Sequence, residues 1–178
     1  MKKTKGTAAV FLTLLLVVLM SACVPQGKEL TMDALVNAST REEMIKLLGE
    51  PSSVEGDSDC YESVEYMGES YSVLISYCND TTDNLAMHYD YEGMRGIDLV
   101  LERLDYTVTA RERQLAKDNL EEVARELTEK YGDPEVYRSP VKTTTRSWYV
   151  GNCEIELEDH TENDQLKAFG AYEIMVWY

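Results

Sequence analysis

The two histidines and four cysteines are the side chains of this sequence best suited to metal binding or nucleophilic chemistry. His88 and His160 are far apart in the chain, and neither belongs to the His-x-x-x-His or Cys-x-x-Cys pairs that bind zinc. The chain also lacks the Gly-x-Ser-x-Gly motif of serine hydrolases and a glycine-rich loop that could bind phosphate. Carboxylate pairs are abundant, but 33 acidic residues make such pairs expected anywhere. The motifs predict no catalytic residue, no metal site and no cofactor, so we expect a protein that is not an enzyme.

The start of the chain has the features of an export signal. Three lysines within the first five residues precede an apolar run from Ala8 to Met20, and small residues lead to Cys23. A helix that crosses a bilayer needs about 20 apolar residues, so this run is too short to remain as a membrane span. We therefore expect the segment to be cleaved.

The residues around the cleavage point, Leu19-Met20-Ser21-Ala22-Cys23, resemble the lipobox of bacterial lipoproteins. Met20 stands where that motif most often has leucine. The resemblance implies that residues 1–22 are a signal peptide and that Cys23 is diacylated and becomes the new N-terminus. Residues 23–30 are then a lipidated linker, and the protein is extracytoplasmic, anchored to the cell membrane or the outer membrane.

With Cys23 acylated, three cysteines remain in a compartment that permits disulfides. A three-residue hairpin loop centred on Glu69 would place Cys60 opposite Cys78, and these two could form a disulfide. A two-residue loop would shift the register by one and put the two sulfurs on opposite faces, so both arrangements stay open. Cys153 is left over, and we expect it to be a small buried side chain.

Two acidic stretches, residues 79–84 and 158–164, could bind calcium. Neither has the EF-hand spacing with its central glycine. Solvated loops are the favoured interpretation, and calcium is the less favoured partner.

The chain is strongly acidic, with a formal net charge of −16 and a pI near 4.4. The negative electrostatic field of such a chain repels phosphate backbones and anionic lipid headgroups, which argues against nucleic-acid binding. Basic proteins or divalent cations are better suited as partners. A hydrophobic content of 44% is enough for a packed core in one domain of ordinary size.

Two helices are marked by start and stop signals. Thr40-Arg41-Glu42-Glu43 and Thr109-Ala110-Arg111-Glu112 both have the pattern of a capping box. Gly49 and Gly132, each followed two residues later by proline, are typical helix ends. The second helix carries one apolar stripe, at Ala116, Leu120, Val123, Ala124, Leu127 and Tyr131.

Strand patterns follow each helix, and the two halves share motifs. Hairpin turns are predicted at Gly68-Glu69-Ser70 and Gly151-Asn152, with third strands at 97–104 and 171–178. Gly-x-Pro and Tyr-x-Gly each recur 83 residues later in the chain. We therefore predict an α+β fold of two tandem helix–β–β–β repeats, residues 31–106 and 107–178, with the helices packed on antiparallel sheet.

The first helix and its stop, from Thr40 to Pro51, resemble a motif of the SmpA/OmlA outer-membrane lipoproteins and of the tandem repeats of beta-lactamase inhibitory protein. That motif is threonine, Gln or Glu, an aliphatic residue, and Leu-Gly-x-Pro. Ala38-Ser39 replaces its preceding Gly-Met, and the second helix here is longer. The resemblance implies helices on an antiparallel sheet and a function in protein binding.

Most aromatic residues of the mature part fall on predicted strands. Alternation sends some to each face, so half or more should be core and the rest should form a tyrosine-rich surface. We expect a lipid-anchored module of the cell envelope that binds a protein partner, without catalysis, through an exposed sheet face or the acidic loops. The alternatives are an inhibitor of an extracellular enzyme and a lipoprotein that binds a small ligand or solute.

Overall fold

The computed structural model describes residues 30–91, 108–163 and 170–178. These segments contain three helices: α1 (Met32–Asn37), α2 (Arg41–Leu48) and α3 (Ala110–Tyr131). They also contain eight strands: β1 (Ser53–Glu55), β2 (Ser58–Tyr66), β3 (Glu69–Cys78), β4 (Thr81–Tyr89), β5 (Glu135–Arg138), β6 (Thr144–Val150), β7 (Cys153–Asp159) and β8 (Tyr172–Trp177). Among the described helices, none has the length and apolar character that crossing a membrane requires.

The ends of α2 and α3 follow the sequence signals. Thr40 and Thr109 cap the two helices, and each forms a complete capping box with the glutamate three residues on. Gly49 and Gly132 end them, both at φ 91° and ψ −171°, a region that essentially only glycine occupies. The start and stop predictions for both helices are therefore confirmed.

All eight strands belong to one antiparallel sheet with the order β1-β2-β3-β4-β8-β7-β6-β5. The short strands β1 and β5 form the two edges. Strand β8 lies in the middle, where it pairs with β4 on one side and β7 on the other. The sheet is thus continuous from the first half of the chain to the second.

The predicted architecture of two tandem helix–β–β–β repeats is wrong, because the strands form a single eight-stranded sheet. Strand β4 begins at Thr81, inside the acidic stretch 79–84, where a loop was expected. Its first residues are polar, and this hid the alternation that follows. The predicted third strand at 97–104 and the boundary at 106 and 107 fall outside the described residues.

The helices pack on one face of the sheet, which we call the inner face. Helix α3 buries five members of the predicted stripe, Ala116, Leu120, Val123, Ala124 and Leu127, and the sixth, Tyr131, is partly buried. Beneath it lies a cluster of four tyrosines on β2, β3, β4 and β8, with ring centroids 4.8–6.1 Å apart: Tyr66, Tyr71, Tyr89 and Tyr172. The hydroxyls of Tyr71 and Tyr172 are 2.8 Å apart and buried.

One ion pair joins α2 to strand β2, and another joins α1 to the end of α3. Arg41 of α2 donates two hydrogen bonds to Asp59 of β2, from Nε at 2.9 Å and from Nη2 at 2.6 Å. The Asp59 side chain is fully buried. Asp33 of α1 accepts from Lys130 and Tyr131 at the end of α3, and these hydrogen bonds lower the pKa of its carboxyl.

Candidate functional site: the outer face of the sheet

The side chains that point away from the helices form the outer face. They alternate with the buried positions of the same strands. On β4, β8 and β7 the outward positions are Asn84, Ala86, His88, Glu173, Met175, Trp177, Glu154, Glu156 and Glu158. The register places His88 directly opposite Glu173, and Glu173 directly opposite Glu158.

Both histidines of the chain meet these two glutamates, and we call the four residues the His/Glu cluster. His88 Nε2 lies 3.5 Å from Glu173 Oε1, and His160 Nε2 lies 3.5 Å from Glu158 Oε1. Ligand atoms of Glu158, His160 and Glu173 all lie within 4.8 Å of one another. Imidazole nitrogens and carboxylate oxygens are the donor types that divalent transition metals accept.

The turn after β7 positions His160. Asp159 Oδ1 accepts hydrogen bonds from the Thr161 amide and hydroxyl, at 2.8 and 2.6 Å. The His160 amide donates to the Ala171 carbonyl just before β8 at 3.0 Å. This holds the imidazole against the sheet, where only 3% of the residue is exposed.

The cluster is buried enough to shift the pKa values of its two carboxyl groups. Burial raises the pKa of Glu173, and the nearby charge of Glu158 raises it further. The imidazole of His160 holds the pKa of Glu158 below its usual value. Nδ1 of His160 is buried and has no hydrogen-bond partner among the described residues.

The rest of the outer face is acidic and carries exposed aromatic rings. Among the eight strands, lysine and arginine occur only at Arg138 and Arg146, both in inward register; Arg146 pairs with Glu121 of α3. Tyr149 and Trp177 are 62% and 43% exposed. Trp177 Nε1 donates to Glu156 Oε2 at 2.8 Å, and a hydrogen bond to Glu154 raises the pKa of Tyr149.

A second feature is an open cleft of about 600 Å³ between α1, the β3–β4 turn and the β6–β7 turn. Cys78 and Cys153 both line it. Burial raises the pKa of the Cys153 thiol, which disfavours the nucleophilic thiolate. None of the residues that line this cleft is a histidine that could act as a base.

The cysteines do not adopt the register on which the bridge was predicted. The first hairpin turns at Met67-Gly68, with positive φ at both residues, and a bulge follows Tyr61. Cys60 consequently lies opposite Leu74, whereas Cys78 pairs with Thr81. Cys60, Cys78 and Cys153 are all unbridged, and Cys23 lies outside the described residues.

The two acidic stretches have structural roles. Asn79 and Asp80 form the tight turn between β3 and β4, and the Asp80 carbonyl accepts from the Arg41 amide at 3.0 Å. In the second stretch Glu158 joins the His/Glu cluster, and Asp164 lies outside the described residues. Sequence spacing does not mark this cluster, because His88 on β4 and Glu173 on β8 are far in the chain from Glu158 and His160 at the end of β7. Only the period-two alternation of β4 and β8 could have placed His88 and Glu173 on one face.

Comparison with known proteins adds little. No protein-family model matches the chain, and no curated protein matches it significantly. Among solved structures it is similar to that of a DUF4309 family protein, YjgB, from Bacillus subtilis subsp. subtilis str. 168. The identity is 15%, the match covers 83% of each chain, and the TM-score is 0.42.

Proposed function

We propose that this protein is a lipid-anchored, extracytoplasmic module of the cell envelope that binds a basic protein partner with the outer face of its sheet, without catalysis. The observation that carries the proposal is the pairing of exposed rings with carboxylates on a face where the described strands present no outward lysine or arginine. Tyr149 and Trp177 lie beside Glu154 and Glu156 in adjacent strands.

This arrangement suits arginine and lysine side chains of a partner. A cation above an aromatic ring is stabilised by about 0.5–2 kcal/mol, and a neighbouring carboxylate adds a charge-assisted hydrogen bond. The hydrogen bond from Trp177 to Glu156 restrains that ring before any partner arrives. Less conformational entropy is then lost on binding.

The described helices α1, α2 and α3 all pack on the inner face, and none of them covers the outer face, which favours the outer face for recognition. Its charge favours a basic partner over nucleic acid or anionic lipid, and electrostatic attraction of this kind chiefly raises the association rate. The membrane anchor is supported by the sequence around Cys23. Since Leu30 is already buried in the core, only a short tether would separate the fold from the lipid.

The binding proposal can be tested by cross-linking the full chain in its native envelope and recovering the complex. We expect Trp177→Ala and Tyr149→Ala to reduce recovery of the partner, and high salt to weaken it. Leu115→Ala is the matched control, because Leu115 on α3 is 42% exposed, much like Trp177 at 43%. If the three variants recover the partner equally well, the outer face is not the binding surface.

The anchor has its own test. Replacing Cys23 with serine should leave the leader uncleaved or the protein without acyl chains. Metabolic labelling with a radioactive or clickable fatty acid should therefore mark the wild-type chain and not Cys23→Ser. Equal labelling of both chains would contradict lipidation at this residue.

A further inference from the structure

We propose that Glu158, His160 and Glu173 form a binding site for a divalent transition metal ion, with zinc as the ion that fits best. This site goes beyond the proposed binding of a protein partner and does not depend on it. The three ligands converge from the end of β7, the turn after it and β8, and His88 of β4 supports Glu173 from the other side.

The geometry of the three ligands is close to what zinc requires. Ligands about 2.1 Å from a tetrahedral zinc ion lie about 3.4 Å from one another. His160 Nε2 and Glu158 Oε1 are already 3.5 Å apart, and the whole set lies within 4.8 Å. A shift of about 1.4 Å in one carboxylate would bring the set to tetrahedral spacing around an ion and leave a fourth position for water.

The cluster also has a charge imbalance that a cation would relieve. Glu158 and Glu173 face each other directly across the β7–β8 ladder, and like charges in that position are destabilising. No lysine or arginine points outward from the described strands to balance them. In addition, His160 is almost fully buried, and its Nε2 faces Glu158 Oε1 at 3.5 Å, on the side where the ion would lie.

The donor set selects among metals. Calcium and magnesium bind oxygen ligands, and calcium needs six to eight of them. Imidazole nitrogen and carboxylate oxygen are both zinc ligands, so one imidazole with two carboxylates suits zinc and its cobalt substitute better than calcium or magnesium. His88, 3.5 Å from Glu173 Oε1, would orient that carboxylate from outside the coordination shell.

The test is a calorimetric titration of the full chain, purified in detergent and stripped of metal, with zinc chloride. We expect one zinc ion per chain, with no competition from millimolar calcium or magnesium. Absence of zinc binding would overturn the proposal. Cobalt substitution checks the ligands, because a thiolate-to-cobalt charge-transfer band would show that Cys60, Cys78 or Cys153 binds the ion instead and would also overturn it.

Two isosteric substitutions test the ligands without removing buried volume. Glu173→Gln and Glu158→Gln keep the shape of each side chain and should abolish stoichiometric zinc binding. His88→Ala should weaken the affinity by about 10–100-fold, the usual effect of losing a residue that orients a ligand. The matched control is Glu154→Gln, an outward glutamate of the same strand that lies outside the cluster. Zinc affinity that is unchanged in both Glu173→Gln and Glu158→Gln, or equally reduced in Glu154→Gln, would refute the assignment.

Discussion

The buried hydroxyl pair of Tyr71 and Tyr172 offers a sharp test of how the core is held together. The two hydroxyls are 2.8 Å apart, and the side chains are 1% and 0% exposed. Neither hydroxyl has another hydrogen-bond partner among the described residues. Burial raises the pKa of both phenols, so both stay protonated and neutral at physiological pH.

Replacing one of these tyrosines with phenylalanine leaves the other hydroxyl buried without its partner. An orphaned buried hydroxyl costs about 1–3 kcal/mol, so Tyr71→Phe and Tyr172→Phe should each lower the free energy of unfolding by about 2 kcal/mol. The double variant has no orphan and keeps both rings. It should be no less stable than either single variant, which gives a coupling energy of about 2 kcal/mol.

Urea denaturation followed by circular dichroism measures all four proteins of this cycle. Additive effects, with the double variant about 4 kcal/mol less stable than the wild type, would refute the reasoning because the two hydroxyls would then act independently. An unchanged slope of the unfolding transition would show that the effect arises in the folded state.

Two further predictions concern charge. Arg41→Met should lower the free energy of unfolding because it leaves the buried Asp59 carboxylate unpaired, and adding Asp59→Asn should restore part of the loss in the same urea assay; an Arg41→Met variant as stable as the wild type would contradict this. Burial, with the Asp59 charge, raises the pKa of Tyr61 to about 12, whereas an unfolded tyrosine ionises near 10. The unfolded chain therefore binds fewer protons than the folded one in this range, so stability should fall as the pH rises from about 10 to 12. Tyr61→Phe should show a smaller fall over the same interval, and an equal fall would count against the shift.

The features that the sequence predicted correctly are local ones. The capping boxes at Thr40 and Thr109 and the glycine stops at Gly49 and Gly132 each depend on residues within one turn of chain. The hairpin at Gly151-Asn152 is equally local, since its turn needs positive φ at Gly151. Such signals act before tertiary packing and survive in it.

Strand order and register could not be predicted in the same way. The two-residue turn at Met67-Gly68 and the bulge after Tyr61 together moved Cys60 opposite Leu74. A bulge leaves no reliable mark in sequence, yet it shifts every later pair. The pairing of β4 with β8 joins residues more than eighty positions apart, and no local pattern encodes that choice.

The candidate metal site was missed for the same physical reason. Sequence motifs depend on spacing along the chain, whereas Glu173 is brought beside Glu158 and His160 only by the pairing of β7 with β8. The exposed rings were anticipated as a class, because alternation guarantees that some aromatic residues face outward. Which rings these are, Tyr149 and Trp177 among them, depended on the register.

The central position of β8 has a consequence for how the protein acquires its structure. Every other described strand precedes β8 in the chain, so β4 and β7 both present unsatisfied backbone edges until residues 172–177 insert between them. Open edges of this kind are templates for intermolecular aggregation. Because the insertion joins distant segments, it belongs to the slow, non-local class of folding steps. During synthesis, the interval before β8 docks is therefore the stage at which a chaperone would be of greatest use to this protein.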